Sequence, residues 1–378
     1  MDQATLNDLL NSAVARGDAA GVAAAVTDAN GTVVEACAGM TALGGAAPVS
    51  PHTLFWIASM TKPVTSLAAM QLVEQGRLTL DAPLGALLPE LAHPHILQED
   101  GTLRPATRPL TLRHLLTHTA GFSYGFASAA YLAYMAAHNV PANPGLLAGL
   151  NMPLLFEPGE RWEYGINTDW VGRAVEAASG MSLDDYFQAH IFGPLGMTET
   201  TFFPDAAQQA LRSATHQRVP DGSLVALPLQ APRRPEFWSG GGGLFSTLAD
   251  YQKFTRVFLN GGAGLLAPET LAEMTRDQTP GLQAGFIPSA NPALITGARL
   301  NEGMDTGWSL GFQYYRQAGP FGRHAGTLSW AGLPNTYFWI DPQANLAAII
   351  LMQTLPAGDL TSLKLYAAFE RLVYQASL

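Results

Sequence analysis

Apolar residues at Leu6, Leu9, Leu10 and Val14 fall three to four apart, which predicts a helix over residues 3–16 ended by Gly17. Two apolar-rich runs follow, Gly21–Asp28 and Thr32–Gly39, joined by Asn30-Gly31, the dipeptide favoured in a tight β-hairpin. The far end of the chain mirrors this. Thr336–Ile340 and Leu346–Gln353 read as strands around the turn Asp341-Pro342-Gln343-Ala344-Asn345, and a last helix covers about Thr361–Gln375. Between the ends, residues 64–75, 111–118, 169–179 and 183–190 carry helical patterns, linked by long Pro/Gly-rich segments. A sheet needs cover on its faces, and both chain ends supply helices for it. The pattern predicts an α/β domain built from residues 1–80 and 240–378, with a mostly helical domain, 81–239, inserted.

Length supports two lobes, because 378 residues exceed the roughly 250–300 at which single cores stop growing. Only 13% of residues are charged, against a usual ~25%, and the net charge is −10. With three lysines (Lys62, Lys253, Lys364) and a pI near 5.3, the chain is not expected to bind nucleic acid or an anionic membrane. The longest apolar stretches, such as Leu346–Met352, fall far short of the ~20 residues that cross a bilayer. The N-terminus shows no basic segment followed by an apolar core, so a soluble, cytoplasmic protein is expected. One cysteine, Cys37, leaves no intrachain disulfide and no cysteine-based zinc site.

Against this background one lysine stands out. Ser59-Met60-Thr61-Lys62 matches S-x-x-K just before the apolar helical stretch Val64–Val73. At i and i+3 of a helix the hydroxyl and the amine share a face. Lys62 also follows Phe55-Trp56-Ile57-Ala58 and precedes Val64, which predicts burial and a depressed pKa, as a lysine base requires. Two other serines compete. Gly121-Phe122-Ser123-Tyr124-Gly125 and Gly307-Trp308-Ser309-Leu310-Gly311 both match G-x-S-x-G. That elbow must follow a strand and open a helix, whereas Ser123 follows the helical Leu112–Thr119 and Ser309 precedes the strand-like Phe312–Tyr315.

The segment Phe55–Pro63 resembles the serine β-lactamase-like superfamily, which includes class C β-lactamases, D,D-peptidases and family VIII carboxylesterases. Leu112–Gly121, Trp162-Glu163-Tyr164 with Asp169–Gly172, Gly240–Thr247, Gly307–Phe312 and Ser329–Pro342 resemble that superfamily's segments in order, so the likeness spans nearly the whole chain. It implies a β-lactamase/transpeptidase-like fold: an antiparallel sheet flanked by the terminal helices, plus the inserted helical domain. It also implies Ser59 as nucleophile and Lys62 with Tyr164 as a proton-sharing base pair. The backbone N–H groups of Ser59 and Leu333 would form the oxyanion hole, with Gly332 letting the strand come close.

Departures from the β-lactamase pattern bear on substrate. Tyr164 is followed by Gly165-Ile166, with Asn167 one place beyond the Tyr-x-Asn position. Where those enzymes carry Lys-Thr-Gly, this chain has Trp330-Ala331-Gly332, with His324-Ala325-Gly326 as a rival triplet. A lysine there holds a substrate carboxylate; a tryptophan offers an apolar face and one N–H. The expected activity is therefore that of a serine carboxylesterase on short- to medium-chain acyl esters, with Trp330, Gly332 and Tyr124 contacting substrate. β-Lactamase, D-amino-acid peptidase, other amide hydrolysis and acyl transesterification stay open as alternatives. No metal or organic cofactor is implied: His114 and His118 lack the Glu of a helical zinc motif, and Gly240–Gly243 lacks the lysine of a phosphate-binding loop. Oligomeric state is not legible.

Overall fold

The computed structural model describes residues 2–141, 145–229, 234–297 and 303–375. Its centre is a seven-stranded antiparallel sheet of β1 (Gly21–Asp28), β2 (Thr32–Gly39), β3 (Thr306–Trp308), β4 (Gln313–Tyr315), β5 (Leu328–Gly332), β6 (Thr336–Asp341) and β7 (Leu346–Leu351). The order across the sheet is β2-β1-β7-β6-β5-β4-β3, so the two predicted hairpins meet where Ala23 pairs with Leu351. Asp28 closes the first hairpin, its carboxylate accepting the N–H groups of Asn30 and Gly31. Asp341 does the same for the second, accepting from Ala344.

Alternate residues of β1 enter different cores, as the two-residue period of a strand requires. Val22 and Ala24 face helix α1 (Gln3–Ala15) and the C-terminal helix α7 (Leu360–Gln375), in a cluster with Leu6, Leu10, Trp339, Leu365 and Phe369. Ala23 and Ala25 face the opposite way, with Val64, Leu67, Phe338 and Ile349. Both faces are covered, so β1 is buried from Gly21 to Thr27.

The second face is packed by α2 (Thr61–Glu74), which is buried at every position from Thr61 to Leu72. A helix apolar on all sides belongs in the interior, and here it carries the one lysine the chain buries completely. Around it lie α3 (Leu112–Leu116), α4 (Ala129–Ala137), α5 (Asn167–Ser179) and α6 (Leu248–Arg256). The fold is thus the β-lactamase/transpeptidase-like one, with mixed helices and an antiparallel sheet. One apolar cluster runs without a break from the sheet through the helices between residues 110 and 202. We propose 1–80 with 240–378 and 81–239 as two structural units, sharing that core. None of the described helices is long and apolar enough to cross a membrane.

Candidate active site

Ser59 sits in a single turn of tight helix, Ala58–Met60, that runs directly into α2. Ala58 before it has φ +43°, a left-handed conformation that a non-glycine residue adopts only when its surroundings enforce it. The enforcement is visible. Ile57 N–H bonds to the Leu244 carbonyl, Trp56 Nε1 donates to the Gly242 carbonyl, and Phe55 pairs with Ser246. On the other side β5 presses against the same turn: a Cβ on Gly332 would lie 2.3 Å from the Ile57 carbonyl oxygen. Only glycine lets the strand end come this close to the Ile57 backbone.

One helical turn on, Lys62 is fully buried and its amine has three acceptors: Ser59 Oγ at 3.2 Å, Tyr124 Oη at 3.1 Å and the Gly241 carbonyl at 2.7 Å. These match the three N–H bonds of an ammonium. Burial nevertheless pulls its pKa from 10.5 down to about 7, with the Asp169 carboxylate pulling it back up. Tyr164 lies with its ring 4.5 Å from the Lys62 amine, and its hydroxyl accepts from Trp330 Nε1 at 3.2 Å. Burial pushes the Tyr164 phenol well above its ordinary range, while the Ser59 and Trp330 side chains on its hydroxyl pull the other way. The Tyr124 phenol is likewise pushed far up by burial, with Asp169 and Tyr164 adding to the shift.

The structure brings together Ser59, Lys62, Tyr164, Trp330, Gly332 and Tyr124. Trp330 is 4% exposed, and its indole N–H donates to Tyr164, since a buried indole needs an acceptor. Tyr124 does more than line a pocket, since its hydroxyl contacts the Lys62 amine while its ring stacks on Phe126. Lys62 and Tyr164 also meet through Ser59 and a ring face; no hydrogen bond joins them directly among the described residues. The rival triplet is elsewhere: His324 Nδ1 bonds Asp341 at the opposite end of β6 from Thr336, which pairs with Gly332.

The competing serines have structural posts. Ser123 is fully buried and donates to Glu163 at 2.8 Å; Ser309 is fully buried and donates to the Phe312 carbonyl. His118 bonds Asn167 at 2.9 Å and packs against Tyr164, Trp162 and Trp308, and burial holds it well below 6.5, neutral. Asn167 is thus consumed inside the fold. No cluster of His, Cys, Asp or Glu able to hold a metal occurs among the described residues.

Two participants escaped the sequence. Asp169, in the first turn of α5, accepts from Ser239 Oγ at 2.6 Å and from Gly241 N–H at 2.9 Å. Gly241 must be glycine, because a Cβ there would lie 2.8 Å from the Asp169 carboxylate and 3.0 Å from Tyr124 Oη. An acidic residue in a first turn reads as routine dipole pairing, and a backbone carbonyl leaves no mark in a sequence.

A sheet of this topology, with a serine and a buried lysine at the head of an interior helix, defines a β-lactamase-fold enzyme of acyl groups. The beta-lactamase family model matches residues 6–371, and the chain belongs to that family. It is 33% identical over 380 residues to the lovastatin esterase of Penicillium rubens, covering 94% of each chain. To the monacolin J acid methylbutanoyltransferase of Aspergillus terreus it is 32% identical over 348 residues, 86% of this chain and 83% of that one. Among solved structures, a mutant of simvastatin synthase (LovD) from Aspergillus terreus superposes with TM-score 0.87 at 28% identity, covering 99% of this chain and 97% of that one. EstCE1, a hydrolase with promiscuous acyltransferase activity, shares the fold at TM-score 0.79 and 22% identity, over 96% of each chain. The chain is accordingly an enzyme of a family that hydrolyses or transfers acyl groups on small molecules.

Proposed function

We propose that this enzyme is a serine carboxylesterase acting on neutral acyl esters of small to medium size. One observation carries the reading: a buried amine, pulled down to about 7, lies 3.2 Å from the Ser59 hydroxyl. The strand that carries Trp330 beside Tyr164 has no cation, which supports a neutral substrate. Neutral Lys62 takes the Ser59 proton as Oγ bonds to the ester carbonyl carbon. The N–H groups of Ser59 and Leu333 receive the oxyanion. Tyr164, held as a neutral phenol by burial and oriented by the Trp330 indole, gives its proton to the departing alcohol and stands as a phenolate beside protonated Lys62 until the attacking water returns a proton to it and Lys62 returns one to the departing Ser59 Oγ. Water then attacks the acyl-enzyme with the same groups working in reverse.

Transfer of the acyl group to an alcohol instead of water is the second reading, favoured by the methylbutanoyltransferase at 32% identity. The chemistry differs only in the acceptor. A panel of p-nitrophenyl esters of graded chain length, assayed with and without added alcohol, tests both. Hydrolysis that is unaffected by alcohol and yields free acid alone supports the esterase. New ester as the main product supports transfer. Absence of turnover on every ester, with nitrocefin or a D-Ala peptide cleaved, overturns both.

A further inference from the structure

We propose that Asp169 is a positioning residue that sets the protonation of Lys62 from behind, across residue Gly241. The inference rests on the reading of Lys62 as the group that takes the Ser59 proton. Asp169 is buried, its carboxylate accepts the Gly241 N–H at 2.9 Å, and the carbonyl of the same residue accepts from the Lys62 amine at 2.7 Å. The N–H and the carbonyl of Gly241 belong to adjacent peptides that meet at its Cα, so this one residue holds carboxylate and amine close to each other on its two sides. The low dielectric of the site keeps the two charges in communication across that residue.

The surroundings leave this task to Asp169. Lys62 is faced by Tyr124 on the loop before α4, by Tyr164 and Asp169 from α5 and the segment leading into it, and by His118 beyond α3. Both phenols are held protonated by burial and His118 is held neutral, so Asp169 is the anion of the group. Burial raises the Asp169 carboxyl above its ordinary value, while the Ser239 hydroxyl, the Lys62 charge and the Gly241 N–H pull the other way. The arrangement solves a specific problem. Without a counter-charge a buried amine would be neutral but too weak a base to hold the serine proton; with a carboxylate in direct contact it would stay protonated. One intervening residue gives a pull of intermediate strength.

The test uses the small lysine count. Biosynthetic labelling with [ε-13C]lysine gives three signals, from Lys62, Lys253 and Lys364, and the one lost in K62M is that of Lys62. In the wild-type protein its midpoint is expected near pH 7. In Asp169→Asn, which keeps an acceptor for Gly241, the midpoint should fall by about one unit, within the range for losing one nearby opposite charge. Asp169→Ser should do the same and serves if the amide variant does not fold. An unchanged or higher midpoint in either folded variant overturns the proposal. A residue that merely fills space would leave the lysine titration alone. The pH dependence of kcat/KM, measured alongside, separates the two claims. If the NMR midpoint moves and the acid limb does not, Asp169 tunes Lys62 but Lys62 is not the base.

Discussion

A lysine that the fold keeps at a pKa of about 7 must make stability depend on pH, and replacing it by methionine should remove that dependence. The unfolded chain holds its lysine proton up to about pH 10.5, the folded chain only to about 7. Between those values the unfolded state binds more protons, so wild-type stability should rise with pH across this window. From pH 7 to pH 9 the lysine contribution changes by about 2 kcal/mol, taking one pKa unit as about 1.4 kcal/mol. Lys62→Met keeps an unbranched side chain of similar length and carries no proton. The Lys62 charge bears on Asp169 and His118 among the neighbouring groups, so the difference in unfolding free energy, measured with urea at pH 7, 8 and 9, reports the amine together with its action on those two. The variant should hold its largest advantage over wild type at pH 7 and lose about 2 kcal/mol of it by pH 9. A difference that stays constant over the three pH values would refute the depressed lysine and with it the neutral-amine base.

Ser59→Ala should abolish ester turnover and labelling by a fluorophosphonate, whereas Ser123→Ala, which strands the buried Glu163 carboxylate, should cost about 1–3 kcal/mol of stability and leave the remaining folded enzyme active. Tyr164→Phe should lower kcat by roughly 10²–10⁴-fold, the range for losing a proton-transfer group. Trp330→Phe removes one hydrogen bond to Tyr164 and keeps a ring in place, so kcat should fall by about 2–13-fold with KM steady; a rise in KM alone would return Trp330 to the substrate. The kcat/KM for p-nitrophenyl butyrate should exceed that for nitrocefin by at least ~10²-fold, and equal values would move the reading to β-lactam hydrolysis.

The parts of the fold that were legible in the sequence are those whose signal is local. Gly21–Asp28 and Thr32–Gly39 were bounded to the residue because an Asn-Gly turn separates two runs of strand-forming residues. Helix α4, Ala-Ala-Tyr-Leu-Ala-Tyr-Met-Ala-Ala, was missed, because it has no charged face to mark a period and buries only Tyr131. Strand β5 is five residues long and was located only through the triplet it carries. The site divides in the same way. Ser59 and Lys62 are three residues apart on one stretch and announce themselves. Asp169 and Gly241 are 72 residues apart, and the backbone N–H and carbonyl of Gly241 that stand between carboxylate and amine are groups a sequence does not mark. Tyr124 was noticed as an aromatic near a possible pocket, but its reach to Lys62 across 62 residues follows from the packed fold alone.

The charge arrangement of the site bears on why it should prefer uncharged substrates. Before reaction, with Lys62 neutral and Asp169 ionised, the buried groups around Ser59 carry one negative charge. When Lys62 takes the serine proton and the carbonyl oxygen of an ester becomes an oxyanion, one positive and one negative charge appear together. The total is unchanged, so the reaction separates charge within the site without adding any to a medium that would make it costly. A substrate carboxylate breaks this balance, adding a second buried anion with no cation on β5 to receive it. Placing a lysine at position 330 would supply the cation, but it would also take the indole N–H from Tyr164 and set a second amine near one already depressed by burial. On the proposed reading, the side chain at 330 both withholds a cation from the substrate and orients the proton donor. A change of substrate charge at this site therefore requires more than one substitution.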